Sequence, residues 1–263
     1  MDTVTSADGT DIAYELLGSG PPVIVVAGTN CDATVARPLA KALAEHHTVI
    51  NYDRRGRGAS GDAAPYSVAK EIDDLSALLD QVGGSARAYG HSSGAGLVLL
   101  AAARGLPFSR LVLHEPPYVA DEGQARQSRV YAATLERLLA DGRPSDAAAL
   151  FMARVGTPSE VVADMRTQPW WSRMEGLAPT LSYDSQVMGY PTTGGTVPLD
   201  LVQTVVASTL VLSGEASGEQ MTTVAQRIAE LLPHGRHHVL LGQGHVVPAQ
   251  ILVPVVTQHF AVR

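Results

Sequence analysis

The sequence predicts an α/β protein with a mostly parallel central sheet that is flanked by helices and interrupted by one helical insertion. Short apolar runs alternate with amphipathic helical segments up to about residue 117 and again after residue 207. Between these two parts the pattern is helical, broken by prolines, and without a clear strand. Right-handed crossovers between successive strands then require a mostly parallel sheet. We expect a core of residues 1–117 and 208–263, with residues 118–207 forming a helical cap, or lid.

The first part of the pattern runs from residue 3 to residue 117. Strands are expected at residues 3–6, 11–17, 22–27, 48–52, 86–89 and 111–114, which are short apolar or alternating runs that end at turn-forming residues. The run at 22–27 is continuously apolar, as in strands buried on both faces. Helices are expected at residues 33–46, 68–82 and 93–104, where apolar residues recur at helical spacing or follow one another without a break. Gly83-Gly84 and Gly105 end the last two of these helices.

The second part of the pattern begins after residue 207. Strand character returns at residues 209–213 and 237–241, and a helix is expected between them at 222–232. A last helix is expected at residues 249–260. Pro254 lies inside it and should kink the helix or delay its start, because proline lacks the N–H that a helix interior uses.

Composition restricts the class of protein. The chain has 263 residues, 45% of them hydrophobic and 17% charged, which suits a packed globular protein. The net charge of −7 argues against nucleic acid and anionic membranes as partners. The single Cys31 excludes an internal disulfide and a cysteine-based zinc site, and no metal or cofactor is expected. No secretory signal is visible and the apolar runs are too short to span a bilayer. We expect a soluble cytoplasmic protein, and a homodimer stays open.

Residues 89–94 read Tyr-Gly-His-Ser-Ser-Gly and contain a G-x-S-x-G box between a predicted strand and a predicted helix. A nucleophilic serine needs this setting, because a tight strand-to-helix turn lifts Oγ clear of the backbone and places helix-start N–H groups beside it. Gly90 and Gly94 lack Cβ atoms, so the strand and the helix can approach closely around Ser92. The box alone is weak evidence, since it arises by chance in some chains of this composition.

Further motifs occur in a characteristic order along the chain. An Ala27-Gly28-Thr29 turn follows an early strand, the loop Asp53-Arg54-Arg55-Gly56-Arg57-Gly58-Ala59-Ser60 precedes the box, and Gly244-His245 lies near the end. On these residues the chain resembles the α/β-hydrolase family over nearly its whole length, and the loop fits that family's D-x-R-G-x-G-x-S pattern at every defined position. The resemblance implies an α/β-hydrolase core with a cap, and a serine hydrolase of the esterase type.

Ser92 needs a base, because a neutral hydroxyl is a poor nucleophile. His245 is the candidate, since it follows Gly244 in a loop between the final strand and the final helix, where it resembles the family's catalytic histidine in position. His91 lies inside the box and His114 inside a strand, and we interpret both as structural although either could contact the pocket. The remaining histidines are interpreted as surface or core residues: His46, His47, His234, His237, His238 and His259.

The negative charge that develops on an attacked carbonyl oxygen needs preorganised donors, which form an oxyanion hole. The backbone N–H of Ser93 supplies one donor, and by resemblance Thr29 supplies the other. The family more often has His-Gly where this chain has Ala27-Gly28. This difference should alter loop packing more than catalysis, because the donors are backbone groups. Asn30 and Cys31 either line the same wall or serve in packing.

The acid that orients His245 and stabilises its charged form is not at its usual place. In the family it usually lies three residues after the glycine that ends a late strand, and here that position is Ser217. Glu215 or Glu219 could substitute if the loop bends toward the histidine. Glu115 is the preferred candidate, because it ends the strand at 111–114, and some haloalkane dehalogenases of the family carry a catalytic glutamate at the equivalent strand end.

Two structural alternatives concern the charged groups near the box. Glu115 could pair with Arg54 or Arg55 instead, which would leave an incomplete dyad of serine and histidine. The arginines of the loop at 53–60 invite an anion-binding interpretation. The preferred interpretation is structural, with glycines permitting a compact turn and Asp53 pairing with the arginines. The loop also lacks the spacing of a dinucleotide or phosphate loop.

The bulky apolar residues of the expected cap include Trp170 and Trp171, and they favour an apolar, uncharged small-molecule substrate such as a carboxylic ester or a lactone. A serine attacks acyl carbon, whereas the aspartate nucleophile of dehalogenases and epoxide hydrolases attacks sp³ carbon, so we expect hydrolysis through an acyl-enzyme. Two alternatives stay open. One is a cofactor-free lyase or cyclase that acts on a biosynthetic intermediate in the same pocket, and the other is a non-catalytic ligand-binding member of the fold.

Overall fold

The computed structural model describes residues 1–261 and contains one eight-stranded sheet. Its strands are β1 Asp2–Thr5, β2 Asp11–Leu17, β3 Pro22–Val26, β4 Thr48–Tyr52, β5 Ala86–His91, β6 Phe108–His114, β7 Ser208–Gly214 and β8 Gly235–Leu240. They lie in the order β1-β2-β4-β3-β5-β6-β7-β8. β2 pairs antiparallel with β1 and β4, and every other neighbouring pair is parallel. The predicted mostly parallel sheet is confirmed.

Helices connect and flank the strands. Their bounds are α1 Ala33–Leu43, α2 Val68–Asp80, α3 Ser93–Ala103, α4 Glu122–Ala140, α5 Pro144–Arg154, α6 Ser159–Met165, α7 Trp171–Leu177, α8 Leu181–Val187, α9 Leu199–Val202, α10 Glu219–Leu231 and α11 Ala249–Ala261. Short 3-10 turns occur at Ala178–Thr180 and Glu215–Ser217.

Alternate residues of the central strand β3 pack into different layers. Val23 and Val25 belong to one apolar cluster with residues of α1 and α11, whereas Ile24 and Val26 belong to the other with residues of α2, α3 and α10. Side chains alternate between the two faces of a strand, so helices on both faces leave no polar side to β3. This arrangement explains the continuous apolar run that the sequence shows there.

The carboxyl end of β5 determines where Ser92 lies. β5 continues to His91, two residues further than predicted, because His91 is paired with His114 of β6. The chain then turns at Ser92 and enters α3, most of whose apolar residues are buried. β6 itself begins at Phe108, earlier than predicted, where it pairs with Ala86. Residues 92 and 115 therefore follow directly after neighbouring strand ends.

Helices α4 to α9 lie between β6 and β7, and we refer to them as the helical insertion. The insertion packs on the core through α8, since a Cβ added at Gly96 of α3 would lie 2.7 Å from the sulfur of Met188. The ring of Tyr183 stacks on that of Tyr66 at 3.9 Å, and its hydroxyl donates to Asp62 at 2.6 Å. These contacts join α8 to the core. That residues 118–207 act as a cap stays a prediction.

The last helix begins where the sequence predicted. α11 begins at Ala249 and includes Pro254, so the proline does not delay it. Within residues 1–261, no helix is both long enough and apolar enough to cross a membrane.

Candidate active site

Ser92 lies on a sharp turn between β5 and α3, with φ 55° and ψ −125°. A positive φ is costly for a residue with a side chain, so surrounding contacts must hold it there. They leave no room for larger neighbours: a Cβ at Gly90 would lie 2.6 Å from Cα of Ala95, and one at Gly94 would lie 2.4 Å from the backbone oxygen of Val26. Only glycine fits at these two positions. The Ser92 side chain is partly exposed at the carboxyl end of the sheet.

His245 and Glu115 lie in direct contact, 130 residues apart in the chain. Nδ1 of His245 is 2.5 Å from Oε2 of Glu115, and the other carboxylate oxygen accepts the backbone N–H of Gly214 at 2.6 Å. Burial opposes the charged form of Glu115, but the hydrogen bonds from His245, Ser217 and Gly214 outweigh it and lower the pKa of Glu115 to about 2. The carboxylate is therefore ionised at neutral pH. Because it can only accept hydrogen bonds, it holds the proton of neutral His245 on Nδ1 and leaves Nε2 free to accept another.

His91, the histidine of the G-x-S-x-G box, hydrogen-bonds to the backbone of His245. Nε2 of His91 is 2.9 Å from the backbone oxygen of His245, and the two rings are 4.6 Å apart. A carbonyl only accepts, so Nε2 of His91 carries the proton. The backbone N–H of Ser92 donates to the oxygen of His114, the residue before Glu115. The three candidate residues Ser92, Glu115 and His245 are thus brought to one end of the sheet.

The alternative acids lie elsewhere. Oε2 of Glu215 accepts the backbone N–H of Gly242 at 2.8 Å on the exposed surface. Glu219 is exposed at the first turn of α10, and Ser217 ends the preceding 3-10 turn. Glu115, whose side chain is fully buried, is the carboxylate that the structure places against His245.

The turn at residues 27–31 lies beside Ser92. A Cβ at Gly28 would be 2.9 Å from Cβ of Ser92, so the two backbones meet at van der Waals distance. The Gly28 carbonyl oxygen accepts from Nη1 of Arg57 at 2.7 Å. Since C=O and the following N–H point in opposite directions across a trans peptide, the N–H of Thr29 points away from that arginine. Asn30 follows with φ 55°, and its amide contacts the sulfur of Met174 at 2.9 Å. Asn30 therefore packs between this turn and α7.

The arginines of the loop at 53–60 are buried and paired, in agreement with the structural interpretation. Their partners come from α2, α8 and the N-terminal turn. The ion pairs are Arg54 with Glu71 and Asp184, Arg55 with Asp74 and Asp8, and Arg57 with Asp184, at 2.7–3.0 Å. These contacts also explain why Glu115 pairs with neither Arg54 nor Arg55.

The prediction that Asp53 pairs with the arginines was wrong. Asp53 instead accepts the backbone N–H of Ala33 at 2.7 Å and that of Ala59 at 2.8 Å. It therefore holds the start of α1 and the end of the loop together. The sequence could not distinguish these roles, because the carboxylates that pair with the arginines belong to distant segments.

The two histidines interpreted as structural lie next to His245, with His114 buried and His91 partly buried. Burial, reinforced by the charge of His245, lowers the pKa of His91 to about 4. Burial and the neighbouring His91 lower the pKa of His114 to about 3, and Nδ1 of His114 is 2.7 Å from the hydroxyl of Tyr89. Both rings are therefore neutral near pH 7. Across residues 1–261 no group of three or more histidine, cysteine or acidic side chains is arranged to hold a metal ion.

The comparison with known families decides the classification. Residues 23–250 match the model of the family described as "Alpha/beta hydrolase family". The chain belongs to that family. Over 99% of its length it is also 45% identical to the whole of an alpha/beta hydrolase from Sphaerobacter thermophilus, whose crystal structure superposes with a TM-score of 0.89.

More distant relatives of this α/β-hydrolase carry more specific names. An esterase from Exiguobacterium antarcticum is 19% identical, with 97% of this chain and 98% of that chain covered and a TM-score of 0.72. This likeness shows the fold alone. A protein of Azorhizobium caulinodans that is provisionally named carbamate hydrolase RutD is 40% identical over 86 residues, which cover 32% of this chain and 32% of that protein.

Asp184 and Arg57 are residues of this α/β-hydrolase whose part in the site the sequence did not reveal. Arg57 stands in a recognised loop, but nothing in the motif tells that it binds the Gly28 carbonyl. Asp184 lies in the helical insertion, 130 residues after Arg54, and no local pattern marks it.

Proposed function

We propose that this α/β-hydrolase is a serine hydrolase of carboxylic esters or lactones that works through an acyl-enzyme. Ser92 is the nucleophile, His245 the base and Glu115 the acid. The observation that carries the proposal is the 2.5 Å contact between His245 Nδ1 and Glu115 Oε2, on a loop held by His91 next to the strained turn of Ser92. An ionised carboxylate on Nδ1 directs the lone pair of Nε2 to receive the serine proton.

Each half of the reaction uses the same groups. Ser92 Oγ attacks the acyl carbon while His245 takes its proton, and the protonated His245 then gives that proton to the leaving alcohol. In the second half His245 takes a proton from water, whose oxygen attacks the acyl-enzyme, and returns it to Ser92. Glu115 stabilises the imidazolium in both halves without becoming protonated, consistent with its low pKa.

The oxyanion would be bound by two backbone donors. The N–H of Ser93 is at the first position of α3, where helical N–H groups have no partner within the helix. The Thr29 N–H is directed by the contact of the preceding carbonyl with Arg57. Preorganised donors of this kind lower the barrier because they require no reorganisation as the charge develops.

The charges near the site favour an uncharged substrate. The arginines of the 53–60 loop are already neutralised by carboxylates, so this loop offers no free cation to a substrate carboxylate. Met174 of α7 contacts Asn30 of the turn at residues 27–31, so an apolar side chain lies beside that turn. A small apolar ester or a lactone fits this chemistry, and a carbamate, the substrate class in the name of one partial relative, belongs in the same panel.

The test is covalent labelling followed by turnover. A fluorescent organophosphonate should label the wild type stoichiometrically and should not label Ser92→Ala. Ser85→Ala, which removes an exposed hydroxyl that donates to the Pro107 carbonyl at the opposite end of β5, serves as the matched control and should label like the wild type. Absence of labelling in the folded wild type would contradict the proposal.

Substrate profiling separates the remaining alternatives. Purified protein is assayed with aryl esters of increasing acyl length, with lactones and with aryl carbamates, and Ser92→Ala should lose all of these activities. Negligible turnover of every acyl compound by a protein that still binds them would favour a lyase or cyclase. Ligand binding and biological function that survive in Ser92→Ala would favour a non-catalytic role.

A further inference from the structure

One carboxylate of the helical insertion contacts Ser93, which supplies one oxyanion donor, and reaches the turn that supplies the other donor through arginines. Asp184 of α8 is 97% buried and accepts from Nη2 of Arg57 at 2.8 Å, from Nη1 of Arg54 at 2.8 Å and from the hydroxyl of Ser93 at 2.7 Å. Ser93 is the residue after the nucleophile. Both arginines also contact the turn at residues 27–31, Arg57 at the carbonyls of Gly28 and Cys31 and Arg54 at the carbonyl of Ala27.

Arg57 connects Asp184 to the Thr29 donor. Its Nη1 donates to the carbonyl oxygens of Gly28 at 2.7 Å and Cys31 at 3.3 Å, so it spans the turn that contains Thr29. The Gly28 carbonyl and the Thr29 N–H belong to the same peptide plane and point in opposite directions. The position of the guanidinium therefore determines the direction of the Thr29 N–H.

Arg57 depends on Asp184 more than Arg54 does. Arg54 has a second carboxylate, because Glu71 binds it through two hydrogen bonds of 2.8 Å. For Arg57 the described residues give one ion pair, that with Asp184, and its Nε has no partner among them. Without Asp184 the Arg57 guanidinium would be a buried cation without a counter-charge, a state that proteins avoid by rearrangement.

We propose that Asp184 is a positioning residue for the oxyanion hole, acting through Arg57 on the Thr29 N–H and through the Ser93 side chain on the start of α3. The inference rests on the proposed acyl-transfer function. It assigns to the helical insertion a part in transition-state stabilisation beyond covering the substrate.

The experiment compares an ester with its thionoester, in which sulfur replaces the carbonyl oxygen. Sulfur is the weaker hydrogen-bond acceptor, so an enzyme with an intact oxyanion hole prefers the oxygen compound, and loss of the hole reduces the preference. The ratio of kcat/KM for the two compounds does not depend on the fraction of protein that is active. A role in folding alone would leave it unchanged.

Asp184→Asn keeps the shape of the side chain and removes its charge. We expect kcat for the ester to fall about 10- to 100-fold, because one oxyanion donor is worth about 10²–10³ in kcat and would be misdirected rather than removed. KM should change less than about threefold, and the preference for the ester over the thionoester should fall by about the same factor as kcat.

The matched control is Tyr183→Phe, the neighbouring residue on α8. It removes another contact between the insertion and the core, the 2.6 Å hydrogen bond to Asp62, without touching the oxyanion segments. Its preference for the ester should equal that of the wild type. If Asp184→Asn does not fold, Arg57→Met takes its place, because it removes the guanidinium that contacts the Gly28 carbonyl and leaves Asp184 paired with Arg54.

The outcomes separate this inference from the proposed function. A wild type that hydrolyses neither compound and resists organophosphonate contradicts the proposed function itself. A wild type that prefers the ester, together with a folded Asp184→Asn of equal preference, overturns only the role of Asp184. Equal preference in Arg57→Met overturns it where Asp184→Asn is unfolded.

Discussion

Replacement of Glu115 by glutamine tests the least conventional residue of the proposed triad. The change keeps the volume and one oxygen of the side chain, so the hydrogen bond from the Gly214 N–H can persist. It removes the negative charge that faces Nδ1 of His245 at 2.5 Å. An amide N–H turned toward Nδ1 would also favour the tautomer of His245 that carries its proton on Nε2. In that tautomer Nε2 cannot accept the proton of Ser92.

The magnitude follows from the charge that is lost. Opposite unit charges about 4 Å apart attract by about 4 kcal/mol at the effective dielectric constant of about 20 that suits sites near a protein surface. This attraction is gained only when His245 becomes an imidazolium, so it lowers the barrier. Since about 1.4 kcal/mol corresponds to a tenfold change in rate, the charge alone accounts for roughly 10³ in kcat, and the tautomer effect raises the expected loss in Glu115→Gln to about 10³–10⁴.

The assay measures kcat and KM for the best ester of the panel, with Glu215→Gln as the matched control. Glu215 is exposed, and its oxygen contact with the Gly242 N–H can be kept by glutamine. We expect its kcat within about twofold of the wild type, as for most surface substitutions. Urea unfolding of both variants checks that the loss in Glu115→Gln is catalytic.

Two results would refute this reasoning. A folded Glu115→Gln that retains more than about a tenth of the wild-type kcat would show that the carboxylate does not stabilise the charged histidine. A loss of activity in Glu215→Gln that exceeds the loss in Glu115→Gln would return the role of the acid to the loop after β7.

Three further predictions concern the surroundings of the site. Gly28→Ala would place a Cβ 2.9 Å from Cβ of Ser92 and 3.1 Å from the backbone oxygen of His91, so the turn at residues 27–31 must shift. If this turn supplies the proposed oxyanion donor, organophosphonate labelling should slow at least about tenfold, and an unchanged rate would speak against this geometry. The folded-state pKa of His91 lies at about 4, below its usual value of 6.5, so the unfolded chain binds more protons and the free energy of unfolding falls as the pH drops from about 6.5 to about 4. His91→Gln keeps a donor without titrating, and urea unfolding across this range should show a slope that is shallower by about one proton. Trp171→Ala should lower the free energy of unfolding by about 3–5 kcal/mol, because Trp171 is buried and donates a hydrogen bond to Ser145. Trp170→Ala should lower it by less than about 1 kcal/mol, since Trp170 is 48% exposed. Equal unfolding midpoints of the two variants would contradict this assignment.

Local chemistry made much of the fold predictable. The glycines around Ser92 are needed because β5, α3 and β3 meet there too closely for any Cβ, and such steric demands leave a mark in a short motif. The apolar run of β3 similarly records burial on both faces. Element ends were less predictable, since β5 and β6 extend where their neighbours pair with them, as at His91 with His114.

The partners of charged residues were much harder to predict. The arginines of the 53–60 loop were expected to pair with Asp53, and they bind Glu71, Asp74 and Asp184 instead. A buried cation requires a counter-charge, so the need for a partner can be read from the sequence. Which carboxylate supplies this counter-charge depends on how α2 and α8 pack over the loop.

By itself, then, the sequence determined an α/β-hydrolase sheet and a serine at a strand-to-helix turn, because strand burial, helical spacing and glycine sterics act between residues close in the chain. Only the tertiary structure decided that Glu115 faces His245, and that Asp184 reaches the arginines that contact the turn at residues 27–31. These contacts join residues about 130 positions apart. Strand register and helix packing fix such contacts, and neither has a local signature.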